Sequence, residues 1–345
     1  MLKPVLRQLL TKESLTEPEA MNAMNCIMSG NATQSQIGGF LAALGYKGET
    51  TDEIIGFAKA MREKAAKVEH SLPYCIDTCG TGGDGANTFN ISTAATFVAA
   101  AAGAKIAKHG NRAMSSRSGS ADVLEALGVA IDLTPALVGK CLEEVGIGFM
   151  FAQLFHQSMK HAASARKELG VKTVFNILGP LTNPASAQGQ LLGIFDGSLT
   201  GTIAQALQGL GTERALVVHG CDGLDEITTT GPTKIAELRD GKITEYYFDT
   251  RDLGIPRANP ADLAGGDAAF NAELIRSILA GRSGPVRDIV LVNAAAALYV
   301  AKQVNTIAEG IERAKCVIDN GKAAEKLEEL CEFTRAARSE MEVSA

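Results

Sequence analysis

Residues 74–120 constrain the fold more than any other part of the sequence, because they read as one strand–loop–helix–strand unit. A short apolar run suits a buried strand, and it leads directly into a glycine-dense loop. A polar bridge then precedes an alanine-rich, almost wholly apolar segment that suits a buried helix, with a glycine where a helix would stop. A second short apolar run ends on cationic and polar residues. In chain order these parts are residues 74–77, 79–85, 93–102, Gly103, 104–107 and 108–112.

This unit has the chemistry of a phosphate site. Glycines let backbone N–H groups turn inward without Cβ clashes, and concave runs of N–H groups hold anions. Asn90, Ser92 and Thr93 precede the predicted helix, where polar side chains can cap the N-terminus or reach a ligand and the helix dipole favours negative charge. Lys108 and Arg112 add positive charge at the end of the second strand, which is the edge of an α/β sheet where ligands bind.

The glycine loop also matches the dinucleotide fingerprint through Gly80, Gly82 and Gly85, but that match alone is weak. The fingerprint expects the helix to open at the third glycine, whereas residues 86–91 intervene here. It also expects an acidic residue after the second strand to hold a ribose hydroxyl, and this chain has residues 108–110, Lys-His-Gly, at that point. A Walker A loop is excluded because no Gly-Lys-Ser/Thr follows. The pattern therefore favours a phosphate-bearing ligand other than NAD, held by a loop that is not a Walker A motif.

The rest of the chain predicts an α/β protein with two domains. Residues 1 to about 70 read as short helices, and strand-like runs alternate with helical runs after them, which predicts a largely parallel sheet. We expect a small N-terminal helical domain over residues 1–72 and a larger α/β domain over residues 73–345. Because short helices need partners, we also expect the outer face of the helical domain to pack on another copy of the chain.

Three local predictions concern the larger domain. Residues 129–131 read as a strand. Asp240-Gly241 is a hairpin signal between two strand-like runs. Residues 288–335 read as two long helices.

Bulk composition excludes several classes of function. The chain has 345 residues, a net charge of −6 and no lysine- or arginine-rich run, which argues against nucleic acid as the main partner. No apolar run reaches the length of a membrane span, and the N-terminus lacks the apolar core of a signal peptide. The seven cysteines are scattered without a C-x-x-C pair, which fits reduced thiols and a cytoplasmic location.

A pair of adjacent carboxylates, Asp225 and Glu226, follows the strand-like run 215–219. Adjacent carboxylates repel each other and are often found around a cation, and oxygen ligands on a loop suit magnesium carried in with a diphosphate. A solvated acidic loop is the alternative, and the residues alone leave both readings open. The same holds for the predicted helix 156–169, whose cationic face includes Arg166 and is either solvated or functional.

The motifs DTCGTGGDGANTFNIST at 77–93 and KHGNRAMSSRSGSADVLEALGV at 108–129 resemble the anthranilate phosphoribosyltransferase family in order and separation. Gly-Leu-Asp-Glu at 223–226, Arg-Lys-Glu-Leu-Gly at 166–170 and residues 175–184 are further matches, so the resemblance covers essentially the whole chain. It implies the nucleoside phosphorylase-like phosphoribosyltransferase fold, with part of residues 156–185 joining the helical domain in space.

The resemblance implies a pentosyltransferase that joins anthranilate to 5-phosphoribosyl 1-diphosphate (PRPP). The products would be N-(5-phosphoribosyl)anthranilate and diphosphate, in the second step of tryptophan biosynthesis from chorismate. It also implies two Mg²⁺ ions per subunit with PRPP, and a homodimer through the N-terminal helices. No residue is expected to act as a covalent nucleophile or general base, because an aromatic amine is already neutral and needs positioning more than deprotonation.

The resemblance also assigns residues to roles. Residues expected to hold PRPP are Gly80, Gly83, Asp84, Thr88, Asn90, Ile91, Ser92, Thr93, Lys108, His109, Gly110, Asn111, Arg112, Ala113, Met114, Ser115, Ser116 and Ser120. Those expected to orient anthranilate are Gly80, Asn111 and Arg166, since a planar guanidinium can grip a carboxylate with two hydrogen bonds. Those expected to bind magnesium are Ser92, Asp225 and Glu226.

One departure and two alternatives accompany this interpretation. The family commonly has prolines in the stretch matching residues 151–157, where this chain has Gln153 and Gln157, so the shape of the acceptor tunnel is in question. The alternatives are a pyrimidine nucleoside phosphorylase of the same fold and a non-catalytic relative that binds nucleic acid. The acidic pair disfavours the first, because phosphorolysis needs no metal-bound diphosphate, and the acidic net charge disfavours the second.

Overall fold

The computed structural model describes residues 2–113 and 117–344 of the chain. Four helices come first and pack together as a bundle: α1 (Leu2–Leu10), α2 (Glu17–Met28), α3 (Gln34–Lys47) and α4 (Thr51–Lys64). Three of them begin at a capping box in which a threonine hydroxyl and the Glu or Gln three residues later satisfy each other's backbone N–H groups. The N-terminal helices predicted from periodicity are confirmed.

The larger part of the chain is built on one seven-stranded sheet. Its strands are β1 (Ile76–Gly80), β2 (Ile106–Gly110), β3 (Ile147–Phe151), β4 (Gly189–Gly193), β5 (Arg214–Gly220), β6 (Thr233–Arg239) and β7 (Lys242–Phe248). Their order is β3-β2-β1-β4-β5-β6-β7, and pairing is parallel from β3 to β5 and antiparallel for β6 and β7. The mostly parallel central sheet and the hairpin at Asp240-Gly241 are confirmed.

Eleven further helices of the described chain cover the sheet or extend from it. They are α5 (Ile91–Ala101), α6 (Ser120–Ala126), α7 (Pro135–Glu144), α8 (Ala152–Phe155), α9 (Lys160–Leu169), α10 (Phe175–Leu178), α11 (Thr200–Gly209), α12 (Ala268–Leu279), α13 (Pro285–Val300), α14 (Ile307–Asp319) and α15 (Lys322–Ser344). Each described helix is too short or too polar to cross a membrane.

The strand order places a topological switch point in the middle of the sheet. From β1 the chain moves outward to β2 and β3, and then returns to pair β4 on the other side of β1. Crossovers therefore leave in opposite directions from the adjacent strands β1 and β4, which opens a crevice at their carboxyl ends. In sheets of this kind, ligands bind in that crevice.

The two larger hydrophobic clusters lie on opposite faces of the sheet. One contains α5 and α13 with the inward faces of β1 to β3. The other joins α1–α4 to α9, α10, α11 and the opposite faces of β4 and β5. The helical bundle is therefore continuous with the sheet through shared apolar packing, and α9 and α10 lie within the bundle side of the molecule.

Two predictions about the larger domain are wrong. Residues 129–131 are not a strand. The backbone N–H of Ala130 donates to the Thr334 hydroxyl of α15 at 3.1 Å, so its hydrogen-bond partner is a helix side chain and not a neighbouring strand. Residues 288–335 belong to three helices and not two, because Thr306 caps α14 and Gly321, at a φ of 82°, separates α14 from α15.

We expect Thr334→Val to lower the free energy of unfolding by about 1–3 kcal/mol, because the isosteric valine leaves the buried N–H of Ala130 without an acceptor. Thr250→Val is the matched control, since Thr250 is equally buried but its hydroxyl has no hydrogen-bond partner. Its stability should be unchanged or higher. Urea denaturation measures both, and equal losses in the two variants would contradict this account of residues 129–131.

Candidate active site

A cavity of about 450 Å³ opens at the carboxyl ends of β1 and β2, on the crevice side of the sheet. Its walls come from the glycine loop after β1, the start of α5, the loop after β2, the acidic pair after β5, and the segment from α8 to α10. Gly80 and Gly110, the last residues of β1 and β2, both line it. Five separate parts of the chain therefore face one space.

The glycine loop is held in a conformation that favours glycine. Gly82, Gly83 and Gly85 have φ values of 65°, 72° and 75°, which L side chains rarely adopt. The backbone N–H of Gly82 donates to Oδ2 of Asp225 at 2.7 Å. The loop thus presents amide hydrogens to the acidic pair, as an anion-binding loop requires.

Two further glycines make room for the acidic pair. A Cβ on Gly80 would lie 2.4 Å from Oδ2 of Asp225, and one on Gly193 would lie 1.5 Å from the Asp225 carbonyl oxygen. The loop after β5 can therefore lean onto the ends of β1 and β4 only because both positions lack a side chain. This contact carries Glu226 to the start of α5, where its Oε1 accepts the backbone N–H of Ser92 at 3.0 Å.

The surroundings of Asp225 and Glu226 disfavour the charged form of both carboxyl groups. Asp225 and Glu226 keep intermediate exposure because they face the cavity, yet loss of solvation raises the pKa of both. The neighbouring Asp84 carboxylate raises the pKa of Asp225 further, and Asp225 does the same to Glu226. Two carboxylates in this position attract a cation, and their donor atoms together with Oγ of Ser92 are all oxygens.

Lys108 is the cation closest to this cluster within the sheet. Its side chain is buried, and its Nζ donates to the Thr78 carbonyl and lies 3.5 Å from Oγ of Ser92. Burial lowers the pKa of Lys108, while Asp77 and Glu226 raise it. Lys108 therefore lies between β1 and the start of α5, with its ammonium group near the hydroxyl of Ser92.

Asn90 connects the helix start to the opposite wall of the cavity. Its Nδ2 donates to the Ser118 carbonyl at 3.1 Å, and its Oδ1 accepts Nδ2 of Asn271 at 2.9 Å. Asn90 precedes α5 without using its side chain as a cap. The amide is thus fixed by tertiary contacts at the cavity wall.

Two buried histidines line the same space. The ring centres of His109 and His156 are 5.0 Å apart, and Nε2 of each has no hydrogen-bond partner. Burial lowers the pKa of His109 to about 3, helped by the adjacent His156, and burial lowers the pKa of His156 to about 4. Both rings are neutral at pH 7.

Arg166 approaches the cavity from the other side, on α9. Its guanidinium lies 5.1 Å from the centre of the Phe175 ring. Burial lowers the pKa of Arg166, and no acidic partner in residues 2–113 and 117–344 acts against that effect. An unpaired, partly desolvated guanidinium at a cavity wall is a site for a carboxylate.

Arg112 pairs with two acidic side chains of α6. Its Nη1 is 2.9 Å from Oδ1 of Asp122, its Nη2 is 3.0 Å from Oε1 of Glu125, and its guanidinium lies over the Phe151 ring. The residue lines the cavity, but its charge is matched by α6. The sequence correctly predicted that Arg112 follows the end of β2. The direction of its side chain depends on Asp122 and Glu125, which lie further along the chain.

Every predicted site residue in the described part of the chain lines this one cavity. Met114, Ser115 and Ser116 lie outside the described residues. Gln153 lines the cavity mouth, and Gln157 does not line it. Sequence reasoning missed Met61, which reaches the cavity from α4.

It also missed two asparagines on the C-terminal helices. Asn271 holds Asn90, and Asn293 makes two hydrogen bonds to the backbone of Ile227, at 2.9 and 3.1 Å, directly after the acidic pair. Both are buried within otherwise apolar helix faces. A lone asparagine in an apolar helix is the signal that could have found them, because a buried amide needs partners.

The family models and the similar sequences identify the same family of proteins. The glycosyl transferase family's a/b domain matches residues 72–324, and its helical bundle domain matches residues 3–65. The chain is 57% identical over 344 residues to the anthranilate phosphoribosyltransferase of Acetivibrio thermocellus, with all of both chains covered. It is 53% identical over 331 residues to that of Methanocorpusculum labreanum, with 96% and 97% covered.

Solved structures agree with the sequence relatives. The anthranilate phosphoribosyltransferase of Thermus thermophilus superposes with a TM-score of 0.91 at 43% identity, covering 96% of this chain and 99% of that one. The Saccharomyces cerevisiae enzyme in complex with PRPP and Mg superposes with a TM-score of 0.90 at 29% identity, covering 97% and 98%.

We expect acid to destabilise the folded protein, because it holds His109 and His156 in their neutral forms. His156 has a lower pKa folded than unfolded, so the unfolded chain binds the extra proton as the pH falls from about 6.5 towards 4. Between pH 7.5 and 5, wild type should therefore lose about 2 kcal/mol of unfolding free energy relative to His156→Gln. Urea melts of both proteins at the two pH values measure the difference, and a pH-independent difference would mean that His156 has the same pKa in the folded and unfolded protein.

Proposed function

The chain belongs to the anthranilate phosphoribosyltransferase family, and we propose that the residues of this cavity carry out that family's reaction. The chain transfers the 5-phosphoribosyl group of PRPP to the amine of anthranilate, giving N-(5-phosphoribosyl)anthranilate and diphosphate. This is the second step of tryptophan biosynthesis from chorismate. The fold is the small helical domain plus larger α/β domain with a mostly parallel sheet.

One observation carries the proposal for the site. Asp225 accepts from the glycine loop and Glu226 accepts from the start of α5, so the acidic pair joins two anion-binding elements in one place. The unpaired Arg166 lies on another wall of the same cavity. A polyanionic sugar phosphate and a small aromatic carboxylate would then meet in a space of about 450 Å³.

The chain binds magnesium as part of this reaction, and its residues fit that ion. The available donors are hard oxygens, and Ser92, Asp225 and Glu226 would hold the ion. Loss of solvation, followed by the charge of a neighbouring carboxylate, raises the pKa of both carboxylates, which a cation at this position would oppose. No group of three or more His, Cys, Asp or Glu side chains suited to a metal occurs in residues 2–113 and 117–344. Waters and diphosphate oxygens would complete the coordination of the ion. When bound, magnesium neutralises charge on the departing diphosphate oxygens, and we propose two ions per subunit.

The sheet side of the cavity would bind PRPP. The N–H groups of the glycine loop and of the start of α5 orient the phosphates, and Lys108 adds a fixed positive charge beside them. Residues proposed to hold PRPP are Gly80, Gly83, Asp84, Thr88, Asn90, Ile91, Ser92, Thr93, Lys108, His109, Gly110, Asn111, Arg112, Ala113, Met114, Ser115, Ser116 and Ser120. Their common task is to place the ribose carbon and to stabilise negative charge as diphosphate departs.

The α9 side would bind anthranilate. Arg166 would grip its carboxylate through two parallel hydrogen bonds, while Gly80 and Asn111 complete the orientation of the ring. The amine then faces the ribose carbon without needing a base, because it is neutral at pH 7. The neutral His109 and His156 leave this region without added charge.

The cavity offers no activated thiol among its described residues. Cys79 lines it, but burial raises the pKa of this thiol well above its usual range, so it stays protonated and weakly nucleophilic. This supports direct transfer between the two substrates. It agrees with a site that works by positioning and electrostatics.

Three wider features belong to the same proposal. We propose that residues 1–72 with part of 156–185 form one domain and residues 73–345 the other, since α9 and α10 pack in the core of the helical bundle. We propose a homodimer through the N-terminal helices, where Leu10 and Tyr46 are exposed, and sedimentation equilibrium tests its mass. A cytoplasmic location fits the seven free cysteines.

Loss of the acidic pair tests the metal role. Asp225→Asn with Glu226→Gln should cut turnover at least ~100-fold and raise the magnesium requirement, because it removes the main electrostatic partner. The decay of anthranilate fluorescence on adding PRPP and magnesium measures the rate. The control is Glu328→Gln with Glu329→Gln, an adjacent acidic pair exposed on α15. Unchanged activity in the Asp225/Glu226 variant would reject the role, and thymidine phosphorolysis by wild type would favour the phosphorylase instead.

Loss of Arg166 tests the acceptor side. Arg166→Ala should raise the anthranilate KM about 100-fold, since a bidentate charged hydrogen bond is lost, while the PRPP KM changes less than about threefold. Lys167→Ala, on the same helix but exposed, should change neither value. Steady-state kinetics with each substrate varied in turn gives both constants. An equal rise in the two KM values would remove Arg166 from the acceptor site.

A further inference from the structure

Lys172 lies outside the cavity but contacts the loop that forms its phosphate wall. It follows α9, after Gly170 ends that helix at a φ of 62°. Its Nζ donates to the carbonyl of Gly83 at 2.9 Å. Gly82, Gly83 and Asp84 line the cavity, whereas Lys172 does not, so the lysine holds the glycine loop from behind.

The hydrogen bond fixes the orientation of one peptide unit. The Gly83 carbonyl and the Asp84 N–H belong to the same planar group and point in opposite directions. With the carbonyl directed at Lys172, which lies outside the cavity, the N–H of the same planar group points the opposite way. Because Gly82, Gly83 and Gly85 are conformationally permissive glycines, little else in their own chemistry fixes this orientation.

The lysine is itself anchored at a second point. Its ammonium lies 3.6 Å from the centre of the Phe195 ring, a cation–π contact. Phe195 follows β4, and its backbone N–H donates to the hydroxyl of Thr81 in the glycine loop at 3.0 Å. The positive charge of Lys172 also contributes to lowering the pKa of Asp196, which hydrogen bonds from Ser198 lower most. One side chain therefore connects the segment after α9, the end of β4 and the glycine loop.

We propose that Lys172 is a positioning residue for the diphosphate of PRPP. It holds the 83–84 peptide with its N–H toward the phosphate and its carbonyl turned away, and its charge partly offsets that of the bound anion. The inference rests on the proposed function, because it concerns the same cavity, but it names a residue from the acceptor-side segment as a determinant of affinity for the phosphate substrate.

The test compares Lys172→Met with Lys172→Arg. Methionine keeps an apolar stem on Phe195 but cannot donate a hydrogen bond or carry charge, whereas arginine keeps both properties. Lys172→Met should raise the PRPP KM about five- to tenfold, with kcat and the anthranilate KM changed less than about twofold. Lys172→Arg should restore the PRPP KM to within about twofold of wild type. Lys140→Met is the matched control, since Lys140 also lies over an aromatic ring, Phe333, but does not line or support the cavity.

Calorimetric titration with magnesium pyrophosphate separates this inference from the proposed function. If wild type turns over PRPP and anthranilate but Lys172→Met keeps wild-type affinity for pyrophosphate and PRPP, the positioning role is wrong and the function stands. If wild type shows no turnover, the proposed function fails, and a weaker pyrophosphate affinity in Lys172→Met would still support the role of the lysine. Equal rises in both KM values, or failure of arginine to restore the PRPP KM, would reduce Lys172 to a structural contact and overturn the proposal.

Discussion

The close approach of the loop after β5 to the ends of β1 and β4 is the contact on which the site depends. The Asp225 carbonyl occupies the space that a Cβ of Gly193 would fill, and the Asp225 carboxylate occupies that of Gly80. Only with both side chains absent can Asp225 accept the Gly82 N–H and Glu226 accept the Ser92 N–H. The glycine loop and the start of α5 could each hold an anion alone. Their contacts with Asp225 and Glu226 fix their positions relative to each other.

The same contact explains the shifted pKa values of Asp225, Glu226 and Lys108. Packing the loop against the sheet removes water from two carboxylates, which raises their pKa, and burial beneath them lowers the pKa of Lys108. Desolvated groups of both signs are costly in an empty site. The diphosphate and divalent ion of the proposed reaction would offer each of these groups a partner of opposite charge.

The sequence allowed prediction of those parts of the structure that are set by local chemistry. The glycine loop, the start of α5 and the end of β2 follow from backbone requirements within residues 74–120, and the alternation of runs implied the parallel sheet. Prediction failed where a distant partner decides. Residues 129–131 satisfy their backbone through Thr334, Arg112 turns to acids on α6, and Asn271 and Asn293 support the site from helices late in the chain. A pattern read along the chain carries no information on such partners until the fold brings them together.

The helical bundle is part of the site and more than a covering for the sheet. Met61 of α4 lines the cavity, and the next residue, Arg62, donates to the carbonyls of Leu181 and Leu210 at 2.7 and 3.2 Å. Burial lowers the pKa of Arg62 to about 10, and its partners are backbone carbonyls, so the contact is directional and specifies geometry more than it adds charge attraction. Leu181 belongs to the segment that follows the acceptor-side helices. The bundle therefore fixes where the α9–α10 wall of the cavity stands relative to the sheet. In the proposed reaction the two substrates would react directly, with no covalent intermediate to carry the ribose, so the protein would have to set the separation between them.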